Sequence, residues 1–253
     1  MIDAHYPPLV AAYAVALVSW YAVSLRPWSP WREPPELELD HPWRETGYAL
    51  AAAIAVILLG QLWVRGIRLP ERGSIGPAIA AVNQILIFSP MPLLLLIRGH
   101  DSATAWLPLP RWGARLAIGV SLAAIAVTVY SLLRADAAGP FTIMGRILSY
   151  QHLDEAVQVL MEDVTIAILL ARLAAATGRA RAVVIVAALF AAGHIPALLA
   201  SGAPVSQLWS LLLDATLAVA VLGALLRSRD ILWFWCLHFA MDLTQFDRVS
   251  LDG

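Results

Sequence analysis

Eight helix-length apolar runs follow one another along the chain, separated only by short polar connections. A membrane-spanning helix needs about 20 predominantly apolar residues, and a backbone inside a bilayer must satisfy its own hydrogen bonds, as a helix does. The runs lie at about 9–25, 47–64, 76–97, 116–133, 164–176, 182–200, 207–226 and 231–246. We therefore predict an all-α, polytopic membrane helix bundle of about eight transmembrane helices in one membrane domain.

The composition agrees with this fold class and narrows the possible partners. The 253 residues are 60% hydrophobic and 14% charged, whereas a soluble globular domain carries about 25% charged residues. The net charge of -1 gives no basis for nucleic-acid binding. The predicted partners are the lipid bilayer and a peptide or protein substrate, with no nucleic acid. The single cysteine, Cys236, excludes an intrachain disulfide and a cysteine-cluster metal site.

The basic residues indicate an orientation and a compartment. With eight spans, the connections at one end of the bundle carry eleven arginines and those at the other end carry six. The eleven are Arg26, Arg32, Arg44, Arg98, Arg111, Arg115, Arg172, Arg179, Arg181, Arg227 and Arg229. Cytoplasmic connections are enriched in Lys and Arg, so we expect both termini outside the cytoplasm. The absence of lysine suggests a GC-rich genome, and we expect a multi-pass protein of the bacterial inner (plasma) membrane.

Two segments depart from a simple span. The third run contains Pro90 and Pro92, which predict a kink or a break in that helix. Between Gly139 and Leu160, apolar residues recur at helical spacing among charged ones. This pattern is typical of an amphipathic helix at the membrane surface or in the wall of a site.

Ionisable residues interrupt the apolar runs at three places in the C-terminal half. These are Glu162 and Asp163, then His194, then His238 and Asp242. Such groups are costly at membrane depth and usually face a partner, a cavity or a site. Peptide hydrolysis needs an activated water and donors for the developing oxyanion. Glu162 and His194 are suited to activating the water. His238 is suited to donating a hydrogen bond to the oxyanion, and Asp242, on the same helix face, would fix the tautomer of His238.

The three segments resemble the CPBP family of intramembrane proteases, which includes the CAAX prenyl endopeptidases and the bacteriocin-immunity (Abi) proteins. The family pattern is Glu-Glu-x-x-x-Arg, then Phe-x-x-x-His, then His-x-x-x-Asn or Asp, on successive membrane helices. The matching residues here are Glu162, Phe190, His194, His238 and Asp242, while Asp163 stands in place of the second glutamate. The resemblance covers about residues 140–246.

This resemblance implies an intramembrane endopeptidase that hydrolyses a peptide bond near the membrane surface. Glu162 and His194 would activate water, and His238 and Asp242 would stabilise the oxyanion, supported by Asp163 and Phe190. Residues 1–138 would then be scaffold helices and residues 139–253 the catalytic helices. A glutamate mechanism requires no cofactor. No metal is assigned, but zinc is possible, with Glu162, His194, His238 and Asp242 as its candidate ligands.

One departure from the pattern keeps other functions open. Ala167 stands where the family has its arginine, and Arg172 is expected at the cytoplasmic end of its helix. The alternatives are a non-catalytic scaffold or immunity protein and a metal-binding membrane protein. Taken singly, Glu162 could cap a helix, and each histidine could serve interhelical hydrogen bonding. Asp214 has no role in the family pattern and is expected to be structural.

Overall fold

The computed structural model describes residues 6–31, 39–108, 110–134, 139–195 and 208–246. Within these residues the chain forms ten α-helices and three short 3-10 turns, with no strand. The α-helices are α1 (Tyr6–Ser24), α2 (Pro42–Val64), α3 (Gly76–Phe88), α4 (Pro90–Arg98), α5 (Trp112–Leu133), α6 (Pro140–Ile147), α7 (Leu153–Thr177), α8 (Arg179–Gly193), α9 (Leu208–Ser228) and α10 (Ile231–Phe246). The predicted all-α fold class is confirmed.

Several of these helices can cross a membrane. Helices α1, α2, α5 and α9 are long and apolar enough, and α3 with α4 adds a fifth span if that pair crosses together. The pair is bent by 52° next to Pro90, as the two prolines predicted. The protein is therefore an integral multi-pass membrane protein, while the count of eight spans stays a prediction. The predicted limits of the sixth and seventh spans, Ala200 and Gln207, lie outside the described residues.

With the eight spans predicted from the sequence, the helix connections would alternate between two ends of the bundle. We call the end that holds the α1–α2, α4–α5, α7–α8 and α9–α10 connections the arginine-rich end. The opposite end, which holds the α2–α3 and α5–α7 connections and the start of α1, is the arginine-poor end. Helix α7 packs against α2, α3, α8 and α10. Helix α7, which carries Glu162 and Asp163, thus packs on both N-terminal and C-terminal helices, and the division at residue 138 stays a prediction.

A buried polar network anchors α10 at the arginine-rich end. Fully buried Asp230 accepts hydrogen bonds from Trp31 Nε1 and Arg115 Nη1, both at 2.6 Å. Its other oxygen accepts from the backbone N–H of Leu232 at 2.9 Å, which caps the start of α10. Because a buried carboxylate is stable only when it is paired and hydrogen-bonded, this network ties α10 to α5 and to the α1–α2 connection. The network therefore fixes the position of the start of α10, the helix on which His238 lies.

A close approach of backbones joins α5 to α10, and among the described residues these two helices pack most extensively on each other. A Cβ atom on Gly119 would lie 2.7 Å from Trp233 Cα and 2.9 Å from Trp233 O. Small residues allow membrane helices to approach in this way. Glycine at position 119 therefore sets the distance between α5 and the helix of His238.

Replacing Gly119 with alanine is expected to destabilise the protein by about 1–3 kcal/mol, since overpacking forces the two backbones apart. The matched control is Gly223→Ala in α9, where a Cβ would meet nothing within 4 Å. Thermal unfolding of the purified proteins in detergent measures both changes. Equal unfolding midpoints for the two variants would contradict this account of the α5–α10 contact.

The predicted amphipathic segment divides into three pieces: α6, a 3-10 turn at Tyr150–His152 and the first turns of α7. Helix α6 buries Ile143 and Ile147 against the bundle and leaves Phe141 92% exposed. It packs on α5 and α10. The segment is thus amphipathic, as predicted, but it is not one continuous helix.

Candidate active site

Helix α7 presents two adjacent acids in different surroundings. Glu162 is half-buried and accepts a hydrogen bond from Gln158 Nε2 at 2.9 Å, one turn earlier on the same helix. Asp163 is fully buried. Because α7 begins at Leu153, Glu162 is the tenth of its 25 residues. The position is too far from the helix N-terminus for a cap, so Glu162 is not a capping residue.

The closest contact between the predicted segments joins α7 to α10. His238 Nδ1 lies 2.8 Å from Asp163 Oδ1, and both side chains are buried. A carboxylate only accepts at this distance, so Nδ1 carries the proton and Asp163 fixes the orientation of the ring. His238 Nε2 lies 3.7 Å from Asp242 Oδ2, which is too long for a hydrogen bond. The group that orients His238 is therefore Asp163, and the tautomer-fixing role predicted for Asp242 is wrong.

Two further carboxylates, those of Glu162 and Asp242, lie close to His238. Glu162, His238 and Asp242 each offer one ligand atom, and these atoms all lie within 4.8 Å of one another. The ring of Phe234 stacks on His238 at 5.2 Å between centroids, with 19° between the ring planes. Aromatic packing of this kind holds the imidazole in place and excludes water from one of its faces. The cluster is a candidate site with one nitrogen and two carboxylates around a small space.

His194 lies at the edge of this cluster. It follows the last residue of α8, and its Nδ1 donates to the carbonyl oxygen of Phe190 at 2.9 Å. The neutral ring then keeps its lone pair on Nε2. The Phe190 ring contacts His194 at 4.8 Å and His238 at 6.3 Å between centroids, so it lies between the two histidines. His194 is exposed and does not belong to the group within 4.8 Å.

The position of the missing arginine is filled by a tightly packed alanine. Ala167 is fully buried in the core. Arg172 is also fully buried, and its Nη1 donates to Ile168 O at 3.3 Å. Its Nε and Nη2 have no hydrogen-bond partner among the described residues. Arg172 is ten positions from Glu162, about 15 Å along the helix, so it does not replace the family arginine.

Helix α1 contributes residues that the sequence did not single out. Tyr6 donates from its hydroxyl to Asp214 Oδ1 at 3.1 Å, which gives Asp214 a partner between α1 and α9. Tyr13, two turns further along α1, is also buried. A tyrosine in an apolar run gives no signal of its own, because packing or an interfacial position explains it equally well.

The arrangement can do two kinds of chemistry. A carboxylate beside an oriented histidine can take a proton from water and return it to a leaving group. The same three donors, one nitrogen and two oxygens, are of the types that bind zinc. Both possibilities use Glu162, His238 and Asp242, with Asp163 behind the histidine.

Comparison with known families covers the same part of the chain. Residues 156–244 match the family model described as type II CAAX prenyl endopeptidase Rce1-like. No curated protein and no solved structure is significantly similar to the chain. The matched segment runs from α7 to α10 and contains every residue of the cluster. This match supports the CPBP family of CAAX-type intramembrane proteases that the motifs on the same helices predicted.

Proposed function

We propose that the protein is an intramembrane endopeptidase that hydrolyses a peptide bond of a peptide or protein substrate near the membrane surface. The observation that carries this proposal is the convergence of Glu162, His238 and Asp242 within 4.8 Å inside a membrane bundle. The Rce1-like match over the same helices supports the reaction class. The proposed location is a bacterial inner membrane, and nucleic acid is not among the proposed partners.

Glu162 is proposed to activate the attacking water. Gln158 holds Oε1 of this carboxylate at 2.9 Å, and we assign Oε2 to the water. The carboxylate takes a proton as the water attacks the scissile carbonyl, and then gives that proton to the leaving amine. His194 would orient the same water through Nε2, since its Nδ1 is bound to Phe190 O.

His238 is proposed to stabilise the oxyanion. Its Nδ1 proton points to Asp163, so Nε2 can donate only when the ring carries both protons. Carboxylates then stand on both sides of the charged ring, Asp163 at 2.8 Å and Asp242 at 3.7 Å. Opposite charges at these distances compensate one another in a site of low dielectric. Asp242 would thus support the charge of His238 rather than its tautomer.

A metal-dependent peptidase is the second candidate, because the cluster itself has a suitable donor set. Glu162, His238 and Asp242 would be three ligands and would leave one position open, as in catalytic zinc sites. The metal would polarise the scissile carbonyl or a bound water. His194 lies outside this group and would have to approach it to become a fourth ligand through Nε2, while its Nδ1 keeps donating to Phe190 O.

Cleavage of a quenched fluorescent peptide library by the purified chain in liposomes tests these proposals. We expect cleavage at the same rate with and without a chelator, as a glutamate mechanism requires. Loss with the chelator and recovery with zinc would instead support the metal-dependent form. If the wild type cleaves nothing in either condition, the proposal fails, and Ala167 in place of the arginine supports a non-catalytic scaffold.

A further inference from the structure

The connection between α2 and α3, residues 65–75, joins two segments that can cross a membrane. Helix α2 is long and apolar enough to span, and its last residue is Val64. The bent pair that can form the next span begins at Gly73. Because residues 65–72 follow directly on an apolar helix, we expect them at the depth of the lipid headgroups.

Two backbone hydrogen bonds fix the path of the chain as it leaves α2. Gly66 N donates to Trp63 O at 2.9 Å, and Ile67 N donates to Leu62 O at 3.1 Å. Gly66 has a φ of 87°, which glycine adopts without strain. These are the two bonds of a Schellman motif, which ends many helices. The direction of the connection after Arg65 is therefore set by local structure.

A buried side chain of α3 holds the middle of the connection. Asn83 is 2% exposed; its Oδ1 accepts from Leu69 N at 2.9 Å, and its Nδ2 donates to Leu69 O at 3.1 Å. Nδ2 also donates to Glu71 Oε1 at 3.1 Å. Both backbone groups of Leu69 are thus bound to one side chain of the bundle. A ligand that binds this connection therefore meets a preorganised surface and has little chain to order.

The connection carries two arginines whose charges the protein does not compensate. The guanidinium of Arg68 lies 4.8 Å from the centroid of the Trp63 ring and 3.6 Å from Glu71, so protein groups already bind it. Arg65 and Arg72 are exposed, and neither side chain has a hydrogen bond or an ion pair among the described residues. These two guanidinium groups are therefore free to bind an anion at the membrane surface.

Apolar side chains lie beside these two charges in the sequence. Val64 and Ile67 are each 68% exposed, and Ile75 is 61% exposed. A phospholipid offers a phosphate to a guanidinium and acyl chains to the neighbouring aliphatic side chains. A free phosphate ion or an acidic peptide offers only the negative charge. The combination of basic and apolar groups therefore favours a lipid over either of these ligands.

We propose that the α2–α3 connection binds the headgroups of anionic phospholipids through Arg65 and Arg72, with Ile67 and Ile75 against the acyl chains. A zwitterionic headgroup carries its own positive charge, so an anionic lipid is attracted more strongly to an arginine surface. This surface is made of residues outside the candidate active site. Its function goes beyond the proposed peptidase reaction and does not require it.

Native mass spectrometry of the purified full chain, released from a neutral detergent, measures lipid binding. Wild type is titrated with phosphatidylglycerol and with phosphatidylcholine, beside the double variant Arg65→Gln/Arg72→Gln. The matched control is Arg44→Gln/Arg111→Gln. Those two arginines are also exposed, and their side chains have no partner in the part of the chain that the structure describes. Thermal unfolding midpoints show that the two double variants are equally folded.

We expect the Kd for phosphatidylglycerol to rise about 30-fold in Arg65→Gln/Arg72→Gln and to stay that of the wild type in the control. Each arginine near an anionic surface contributes about 1 kcal/mol, and about 1.4 kcal/mol is a factor of ten in affinity. Phosphatidylcholine should bind the wild type more weakly than phosphatidylglycerol does. Because binding needs no catalysis, a chain that cleaves no peptide would leave this result unchanged.

Three results would overturn the proposal. Equal loss of phosphatidylglycerol binding in both double variants would show an effect of overall charge and no site at the α2–α3 connection. Equal affinity of the wild type for the two lipids would exclude selection of anionic headgroups. Displacement of phosphatidylglycerol by equimolar glycerol phosphate or polyglutamate would identify a free phosphate or an acidic polypeptide as the ligand.

Discussion

Glu162→Gln is expected to lower kcat/KM of peptide cleavage by about 10²- to 10⁴-fold, the range by which a positioned general base accelerates a reaction. The amide has the size of the carboxylate and keeps an oxygen for the hydrogen bond from Gln158, which is 2.9 Å long in the wild type. It cannot take a proton from water at neutral pH. The loss should therefore fall on kcat, while the unfolding midpoint of the purified protein stays that of the wild type.

The control for this prediction is the same substitution on the same helix. Glu155→Gln lies seven residues before Glu162, about 10 Å along α7, and the side chain of Glu155 is 43% exposed. It does not belong to the group that includes His238 and Asp242. We expect its cleavage rate to match the wild type. Equal activity of both variants would show that Glu162 is not the base. An equal loss of activity in both would indicate that the substitutions disturb α7 itself, and not that the carboxylate of Glu162 is required.

The fold was predictable where a single segment determines its own structure. Pro90 and Pro92 indicated the bend that separates α3 from α4, since proline cannot continue the hydrogen bonds of the preceding turn. The start of α7 was not predictable in the same way. The fifth span was expected from Val164, but the helix begins at Leu153. Apolar periodicity is the same for an interfacial helix and for the extension of a span, so it cannot place the boundary between them.

The site was predictable as a set of residues but not as a set of contacts. Spacing within α10 favoured Asp242 as the partner of His238, because residues four apart share a helix face. The partner in the structure is Asp163 on α7, 75 positions away in sequence. Contacts between helices depend on their rotation and depth in the bundle, which one sequence does not determine. The same reason hid the contact of Tyr6 with Asp214, which depends on the packing of α1 on α9.

Asp163→Asn is expected to lower kcat by about 10²- to 10³-fold, the cost of losing one oxyanion-hole donor. The amide keeps the size of the side chain and can still hold His238 Nδ1, but it removes the negative charge 2.8 Å from the ring. The doubly protonated imidazole that donates through Nε2 then loses its nearer counter-charge, with Asp242 still at 3.7 Å. Steady-state kinetics on a peptide substrate should show the change in kcat with KM unaltered.

Two further variants separate a charge effect from a packing effect at this buried position. Asp163→Glu restores the charge and introduces the glutamate found at this place in the family pattern, so its kcat should rise above that of Asp163→Asn. Asp154→Asn makes the same chemical change two and a half turns earlier on α7 and should leave kcat unaltered. Were the Glu variant as impaired as the Asn variant with a wild-type unfolding midpoint, the shape of Asp163 would matter rather than its charge. His238 would then have to act as a neutral base through Nε2, and the oxyanion would need a different donor.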